Sequence, residues 1–290
     1  MSRHPSWIRV RVPTPAEADG IRAVRCVLER YGLTTVCQGA ICPNAVECWS
    51  ARTATFMLLG DVCTRGCRFC AVKTGDPGGA VDADEPARLA AAVAELGLRY
   101  VVLTSVDRDD LPDGGAGLFA EAVEWLKGLG EGIRVEVLIP DFGGDRGALD
   151  RIVASGADVI GHNVETVRRL TPDLRDRRAG YELSVDVLAY VSERASAPTK
   201  SGLMVGLGES RAEIDATLAD LRDAGVRIVT IGQYLRPSER SAPVARYVPP
   251  EEFDEIEASA KRKGFASVVA GPLVRSSYRA LDAYLASCGS

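Results

Sequence analysis

Six short apolar runs alternate with amphipathic stretches along most of this chain, and that alternation limits the fold more than any other feature. The runs are 54–60 (ATFMLLG), 100–104 (YVVLT), 133–139 (IRVEVLI), 158–162 (DVIGH), 201–206 (SGLMVG) and 226–231 (VRIVTI). The stretches at 86–97, 115–128, 145–155, 181–195 and 209–224 have the length and periodicity of helices. Strands alternating with such helices specify βαβ units and a parallel sheet. Right-handed crossovers then put every strand C-terminus on one side.

Six units make either a partial barrel or an open doubly wound sheet. No G-x-G-x-x-G follows a run, which weighs against the dinucleotide-binding sheet. The polar clusters favour the barrel, because each comes directly after a run. They are Asp61-Val62-Cys63, Ser105 to Asp110, Pro140-Asp141, His162 to Glu165, Gly206 to Glu209 and Gly232-Gln233-Tyr234. A parallel barrel gathers all six at one rim, where barrel enzymes keep their active sites. The expected architecture is α/β, a partial parallel (β/α)6 TIM-like barrel over residues 53–235. An N-terminal extension (1–52) and a C-terminal extension (236–290) flank it.

Eight cysteines are the second constraint: Cys26, Cys37, Cys42, Cys48, Cys63, Cys67, Cys70 and Cys288. Six fall between residues 37 and 70. The first residues lack an apolar export segment and no run of ~18 apolar residues exists, so a cytoplasmic location and no membrane span are expected. In a reducing compartment such a cluster points to metal binding or catalysis rather than disulfides. Histidine is confined to His4 and His162, which leaves mixed Cys/His zinc sites and Ser-His-Asp catalysis little to work with. The net charge of −5 and pI near 5.3 disfavour nucleic acid as a partner.

Cys63, Cys67 and Cys70 have the spacing C-x-x-x-C-x-x-C. Three thiolates can wrap one cubic iron–sulfur cluster while leaving one iron open. An open coordination position is what a catalytic metal site needs. A four-Cys zinc site would want paired C-x-x-C knuckles, and only Cys67/Cys70 has that spacing. Cys37, Cys42 and Cys48 form a second triplet, C-x4-C-x5-C, read as a second cluster in the N-terminal extension, also one ligand short. All six could instead share one polynuclear site. Cys26 is expected in a helix core and Cys288 on the surface.

At these motifs the sequence resembles the lipoyl synthases, radical S-adenosylmethionine (SAM) enzymes. The likeness runs through CPNAVECW (42–49), TATFMLLGDVCTRGCRFCAV (53–72), TSVDRDDLPDGGA (104–116), HNVETV (162–167), KSGLMVGLGE (200–209), IGQYLRP (231–237), ARYVPPEEF (245–253) and GPLVRSSY (271–278). It implies two [4Fe–4S] clusters. Cys63, Cys67 and Cys70 would hold the one that binds and cleaves SAM. Cys37, Cys42 and Cys48 would hold an auxiliary cluster whose fourth ligand is Ser277, from Arg275-Ser276-Ser277-Tyr278. Oxygen is a hard ligand for sulfur-bound iron, so this corner should be the weakest. The implied reaction inserts two sulfur atoms, given up by the auxiliary cluster, at carbons six and eight of a protein-bound octanoyl-lysine. Implied partners are octanoylated lipoyl-carrier domains (acyltransferase subunits of dehydrogenase complexes and the glycine-cleavage H protein). A one-electron donor such as ferredoxin or flavodoxin and an iron–sulfur carrier are implied as well.

Thr104, Asp107, Asn163, Glu165 and Lys200 are the candidates for contacting SAM. Each could equally hold the rim together, and His162 reads as structure rather than catalyst. Two departures stand out, Leu118 and Ser241 where the family usually has histidine. They leave room for a divergent paralog of reduced activity. A methylthiotransferase-like enzyme is the nearest rival, but it would carry a separate N-terminal domain and an RNA-binding C-terminal one. A zinc- or iron-binding scaffold is the non-enzymatic rival.

Overall fold

A computed structural model of the chain describes residues 4–9, 13–36, 44–50 and 53–289. The strands in chain order are β1 (Thr34–Thr35), β2 (Thr53–Leu58), β3 (Val62–Cys63), β4 (Lys73–Thr74), β5 (Tyr100–Ser105), β6 (Arg134–Leu138), β7 (Val159–Gly161), β8 (Thr199–Val205), β9 (Ile228–Gln233) and β10 (Ser267–Gly271). Apart from β3 and β4, which pair with each other, they form one sheet in the order β1-β2-β5-β6-β7-β8-β9-β10. Every pairing from β2 to β10 is parallel, and β1 runs antiparallel to β2. Among the described residues the order ends at β1 and β10 without closing. The six expected strands are β2 and β5 to β9. β10 adds a seventh parallel strand from the C-terminal extension.

The helices are α1 (Pro15–Arg30), α2 (Ala45–Ser50), α3 (Glu85–Leu96), α4 (Ala116–Lys127), α5 (Arg146–Ala154), α6 (Tyr181–Arg194), α7 (Arg211–Asp223), α8 (Pro250–Arg262) and α9 (Ala280–Cys288), besides single turns. Local chemistry sets several ends. Thr14 and Glu17 form a capping box at the start of α1, and Ser210 and Glu213 repeat it at α7. Such boxes satisfy two amides that the first turn leaves without partners. α1 buries Val27 and Leu28, whereas Cys26 lies on the opposite, exposed side. The expectation of a core Cys26 is therefore wrong: the apolar stripe of the helix passes beside it. Cys288 is exposed, as expected.

Alternation along the strands separates two faces. Val101, Leu103, Val135 and Val137 pack with Leu89, Val93, Phe119, Val123 and Leu149 of the helices. Tyr100 and Val102 point the other way, onto Ala280 and Tyr284 of α9. Val159 and Ile228 meet Ala283 of the same helix. α9 thus covers the concave face near the N-terminal ends of the strands. Within that face Lys200 Nζ donates to Glu136 Oε1 at 2.7 Å, and Tyr100 Oη donates to Glu136 Oε2 at 2.8 Å. Both ions are buried. Removing one partner of such a pair costs roughly 3–5 kcal/mol, because the other charge stays buried.

His162 is also buried. Its Nδ1 lies 2.9 Å from Ile139 O and its Nε2 2.9 Å from Ser184 Oγ. Both ring nitrogens hold neighbouring elements together, as the structural reading expected. The two positions where the resemblance leads one to expect histidine are also absorbed by the fold. Leu118 joins the helix-side core, and buried Ser241 meets Ser238 Oγ at 3.0 Å.

Burial first, then nearby Arg175, push His162 down to about 4 from its ordinary 6.5. The unfolded imidazole takes up a proton near the ordinary value and the folded one does not. Stability should therefore fall as pH drops from about 6.5 towards 4, by about 3 kcal/mol from this group. Urea unfolding of the iron-free chain at pH 7.5 and pH 4.5 checks it. His162→Gln should remove that part of the loss.

Candidate active site

Each polar cluster follows the C-terminal end of a parallel strand, so the topology sends all of them to one rim. β2 leads through a short turn into β3, and Cys63 closes β3. The cysteine loop then turns back so that β4 pairs with β3, Cys63 opposite Thr74. Thr74 Oγ1 donates to Arg65 O at 3.1 Å, which fixes the loop from inside.

Arg65 anchors this loop to its neighbours. Its Nη1 and Nη2 donate to the two oxygens of Asp141 at 2.7 and 2.8 Å. Nη2 also reaches Asp109 Oδ1 at 2.7 Å, and Nη1 lies 3.3 Å from Asp107. The side chain is 3% exposed and that of Asp141 is fully covered. One guanidinium thereby joins the cysteine loop to the segments following β5 and β6. The planar fork makes this possible, since it can meet two carboxylates at once. Burial raises the Asp141 carboxyl, but its hydrogen bonds to Arg65 outweigh this and hold it below the usual range. Asp107 receives less compensation, and burial lifts it to about 6.

The three cysteine sulfurs each accept one backbone N–H. Arg65 N donates to Cys63 Sγ at 3.4 Å, and Val72 N to Cys70 Sγ at 3.4 Å. Asp176 N donates to Cys67 Sγ at 3.3 Å. Burial raises all three thiols, Cys67 to about 11. At neutral pH they stay protonated until a metal displaces the protons. Among the described residues no three His, Cys, Asp or Glu side chains converge as the ligands of a single ion would. A cubane asks for something different, one thiolate on each iron. Three amide-bonded sulfurs on one loop fit that cluster.

The remaining candidates divide. Asn163 and Glu165 follow β7. Glu165 has φ 67°, a left-handed backbone that costs a side-chain-bearing residue roughly 1–3 kcal/mol and recurs at functional sites. Its amide donates to Gly202 O at 3.0 Å and its carbonyl accepts from Met204 N at 2.9 Å, so β8 holds it there. Burial raises its carboxyl. Asn163 Nδ2 donates to Ser276 Oγ at 3.0 Å, and its buried Oδ1 has no hydrogen-bond partner. Gly202 makes room for it: a Cβ there would stand 2.6 Å from Asn163 Oδ1. Thr104 Oγ1 is spent on Leu138 O at 3.0 Å, a bond between strands.

Lys200 is not brought to the rim. It sits near the start of β8 and its ammonium is committed to Glu136. Its long stem allows it to complete the buried ion pair inside the sheet instead of reaching the cysteines. Sequence reasoning missed Arg175, which lies electrostatically near Cys67, Asp107 and Glu165. Its Nη1 donates to Ser184 Oγ at 2.7 Å, while its buried Nε has no partner. Asp141 was noted only as part of a rim cluster. Arginines at 65 and 175 carried no signal, since arginine is mostly a surface residue.

The second triplet is only partly described, with Cys37 and Cys42 outside the described residues. Cys48 is half-buried on α2. Asn44 Nδ2 donates to Leu273 O at 2.6 Å. Glu47 accepts from Tyr278 Oη at 3.1 Å and Arg279 Nη2 at 3.1 Å. These bonds join α2 to the Arg275-Ser276-Ser277-Tyr278 segment. The approach of that segment to the sheet depends on Gly232, where a Cβ would stand 2.1 Å from Val274 O. Ser276 is taken by Asn163, whereas Ser277 makes no hydrogen bond among the described residues.

Curated proteins match this chain over nearly all of its length. The chain is 56% identical over its full length to a protein named lipoyl synthase from Pyrobaculum arsenaticum, covering 97% of that protein. It is 53% identical over 97% of its length to a lipoyl synthase from Thermus thermophilus, covering 86% of it. The chain belongs to the lipoyl synthase family. The radical SAM superfamily profile matches residues 57–221, a span that begins in β2 and ends in α7. Among solved structures, Streptococcus suis SuiB bound to precursor peptide SuiA aligns with a TM-score of 0.59 at 11% identity, over 93% of this chain and 57% of that one. That likeness is one of fold, a partial TIM-like barrel. As a lipoyl synthase family member, the chain is an enzyme of the radical SAM class and the cofactors of that family are SAM and [4Fe–4S] clusters.

The Arg65 junction should be indispensable to the loop. Arg65→Met should cost the iron-free chain roughly 3–5 kcal/mol in urea unfolding, because three carboxylates lose their shared counter-charge. Arg65→Lys should recover only part, since an ammonium cannot bridge two carboxylates in the same plane.

Proposed function

We propose that this chain inserts two sulfur atoms into a protein-bound octanoyl-lysine, at carbons six and eight, consuming SAM. The observation that supports the reading is a rim on which Cys67 and Cys70 lie electrostatically near Glu165, while Asn163, two residues before it, bonds Ser276, next to Ser277. When bound, the two clusters would supply the electron that splits SAM and the sulfur atoms that enter the product. Every other task falls to the chain.

Cys63, Cys67 and Cys70 are the proposed ligands of the first cluster and Cys37, Cys42, Cys48 and Ser277 of the second. Of the two adjacent serines, Ser277 is favoured because Ser276 already bonds Asn163. Its oxygen would be the corner most easily released. Asn163 and Glu165 present buried or half-buried polar atoms suited to the amino and ribose groups of SAM. Arg175 offers a guanidinium for its carboxylate, and Asp107 can accept a hydrogen bond from the amino group. Thr104 and Lys200 are assigned to holding strands together. No side chain need act as general base for removal of hydrogen by a radical, which is consistent with His162 being sealed from the rim.

By task, residues 1–52 and 236–290 would serve the auxiliary cluster and 53–235 the SAM-cleaving one. Lipoyl-carrier proteins are the substrates this family implies. A ferredoxin or flavodoxin would supply electrons, and an iron–sulfur carrier would rebuild the spent cluster. No described helix is long and apolar enough to cross a membrane, and a cytoplasmic site is proposed.

The decisive assay is anaerobic incubation with SAM, a reductant and an octanoyl-lysine peptide, with mass spectrometry for two added sulfurs. The parent chain should carry about eight irons and eight sulfides, two cubanes. Cys67→Ala should stop SAM cleavage. Cys42→Ala should cleave SAM yet release no lipoyl product. Lipoyl formation by Cys42→Ala would refute the sulfur-donor assignment.

A further inference from the structure

Two of the three sulfurs on the cysteine loop are bonded by amides of that loop, Arg65 for Cys63 and Val72 for Cys70. Cys67 is different. Its amide donor, Asp176, lies more than a hundred positions along the chain, in the segment between β7 and α6. That segment is fastened to the loop along its length. Arg68 N donates to Leu174 O at 2.8 Å, and Arg68 Nη1 to Asp173 O at 3.0 Å. Gly66 N donates to Asp176 Oδ2 at 3.0 Å. Arg178 Nη2 donates to Thr64 O at 2.6 Å, and its Nη1 pairs with Asp109 at 3.1 Å. Asp176 Oδ1 in turn accepts Arg178 Nε at 2.8 Å and Arg178 N at 3.1 Å.

We propose that Asp176 is a positioning residue for the SAM-cleaving cluster: its carboxylate grips Gly66 and Arg178 and so holds its own amide on Cys67. The proposal rests on the reading that Cys67 is a ligand of that cluster. The carboxylate and the amide of one residue address adjacent positions of the loop, 66 and 67, so the first contact restrains the second. An N–H···S bond withdraws electron density from a thiolate, and hydrogen bonds to the sulfurs help set a cluster's reduction potential. The amide of Asp176 therefore favours the reduced, more negative cluster, the form that must pass an electron to SAM. Because the donor belongs to another element, this contact depends on the strap staying docked. The bonds to Cys63 and Cys70 do not.

Two measurements on Asp176→Ala and Asp176→Asn test the proposal. In the iron-free chain, amide hydrogen exchange over residues 64–70 should be about tenfold faster in Asp176→Ala, the effect of losing one or two charge-assisted bonds. Asp176→Asn keeps an oxygen for Gly66 N but loses the charge that holds Arg178, and its exchange should fall between that of Asp176→Ala and the parent. In a Cys42→Ala background, which would retain only the first cluster, a potentiometric titration followed by electron paramagnetic resonance should show the midpoint moving negative in Asp176→Ala, with Asp176→Asn between it and the parent. Unchanged exchange, or an unchanged midpoint in Asp176→Ala, overturns the proposal. If Asp176→Ala does not fold, an Asp176→Asn midpoint equal to that of the parent overturns it equally. Should Cys42→Ala without a further change take up no cluster, the ligand assignment fails, and the exchange experiment still decides whether the strap holds the loop.

Discussion

Parallel strands joined by covering helices must all finish on the same side of the sheet, and that constraint arranges everything else in this molecule. A strand that ends at the rim leaves its last carbonyls, and the loop after it, facing neighbours from distant parts of the chain. Residues 63, 107, 141, 163, 176 and 276 all lie in segments that follow strand ends, and this constraint first brings those segments to one side. Burying apolar surface on the helix side supplies the free energy that holds the arrangement. The polar rim then needs only local bonds to fix its side chains.

At the rim, charge replaces apolar contact as the organising force. Arg65 lies beneath three carboxylates, and its burial is tolerable because each one compensates for part of the lost hydration. The resulting junction ties the loop that carries the three sulfurs to the segments after β5 and β6. The same economy recurs at the other end of the strands, where Lys200, Glu136 and Tyr100 satisfy one another beneath α9. One sheet therefore carries two buried polar networks. The lower one belongs to the architecture, whereas the upper one borders the cysteines.

Much of this was legible along the chain. The six expected runs correspond to β2 and β5 to β9 within one or two residues, and the five amphipathic stretches became α3 to α7. Their periodicities differ, and each was long enough to reveal its own. β10, α8 and α9 were not read, though α9 occupies the concave face that a closed barrel would fill from its own strands. Cys26 was misjudged because a helix of mixed polarity does not reveal which of two adjacent residues faces inwards. Lys200 was misjudged because position at the head of a strand was not weighed against the reach of its side chain. The cysteine triplets could be recognised from their spacing, which local sequence preserves, whereas the Arg275 to Tyr278 motif stood out only through the resemblance to the lipoyl synthases.

What the sequence determined by itself was therefore the pattern of the groups: three thiols on one short loop, a second cysteine triplet, and the βα alternation that brings strand ends together. Those features depend on separations of a few residues, or on repeated patterns, and survive without coordinates. The tertiary structure decided how the groups are held. That Arg65 meets Asp141, that Asn163 meets Ser276, and that the amide of Asp176 meets Cys67 are contacts across large separations in the chain. No local pattern encodes them, because each exists only once the sheet has fixed where its loops begin.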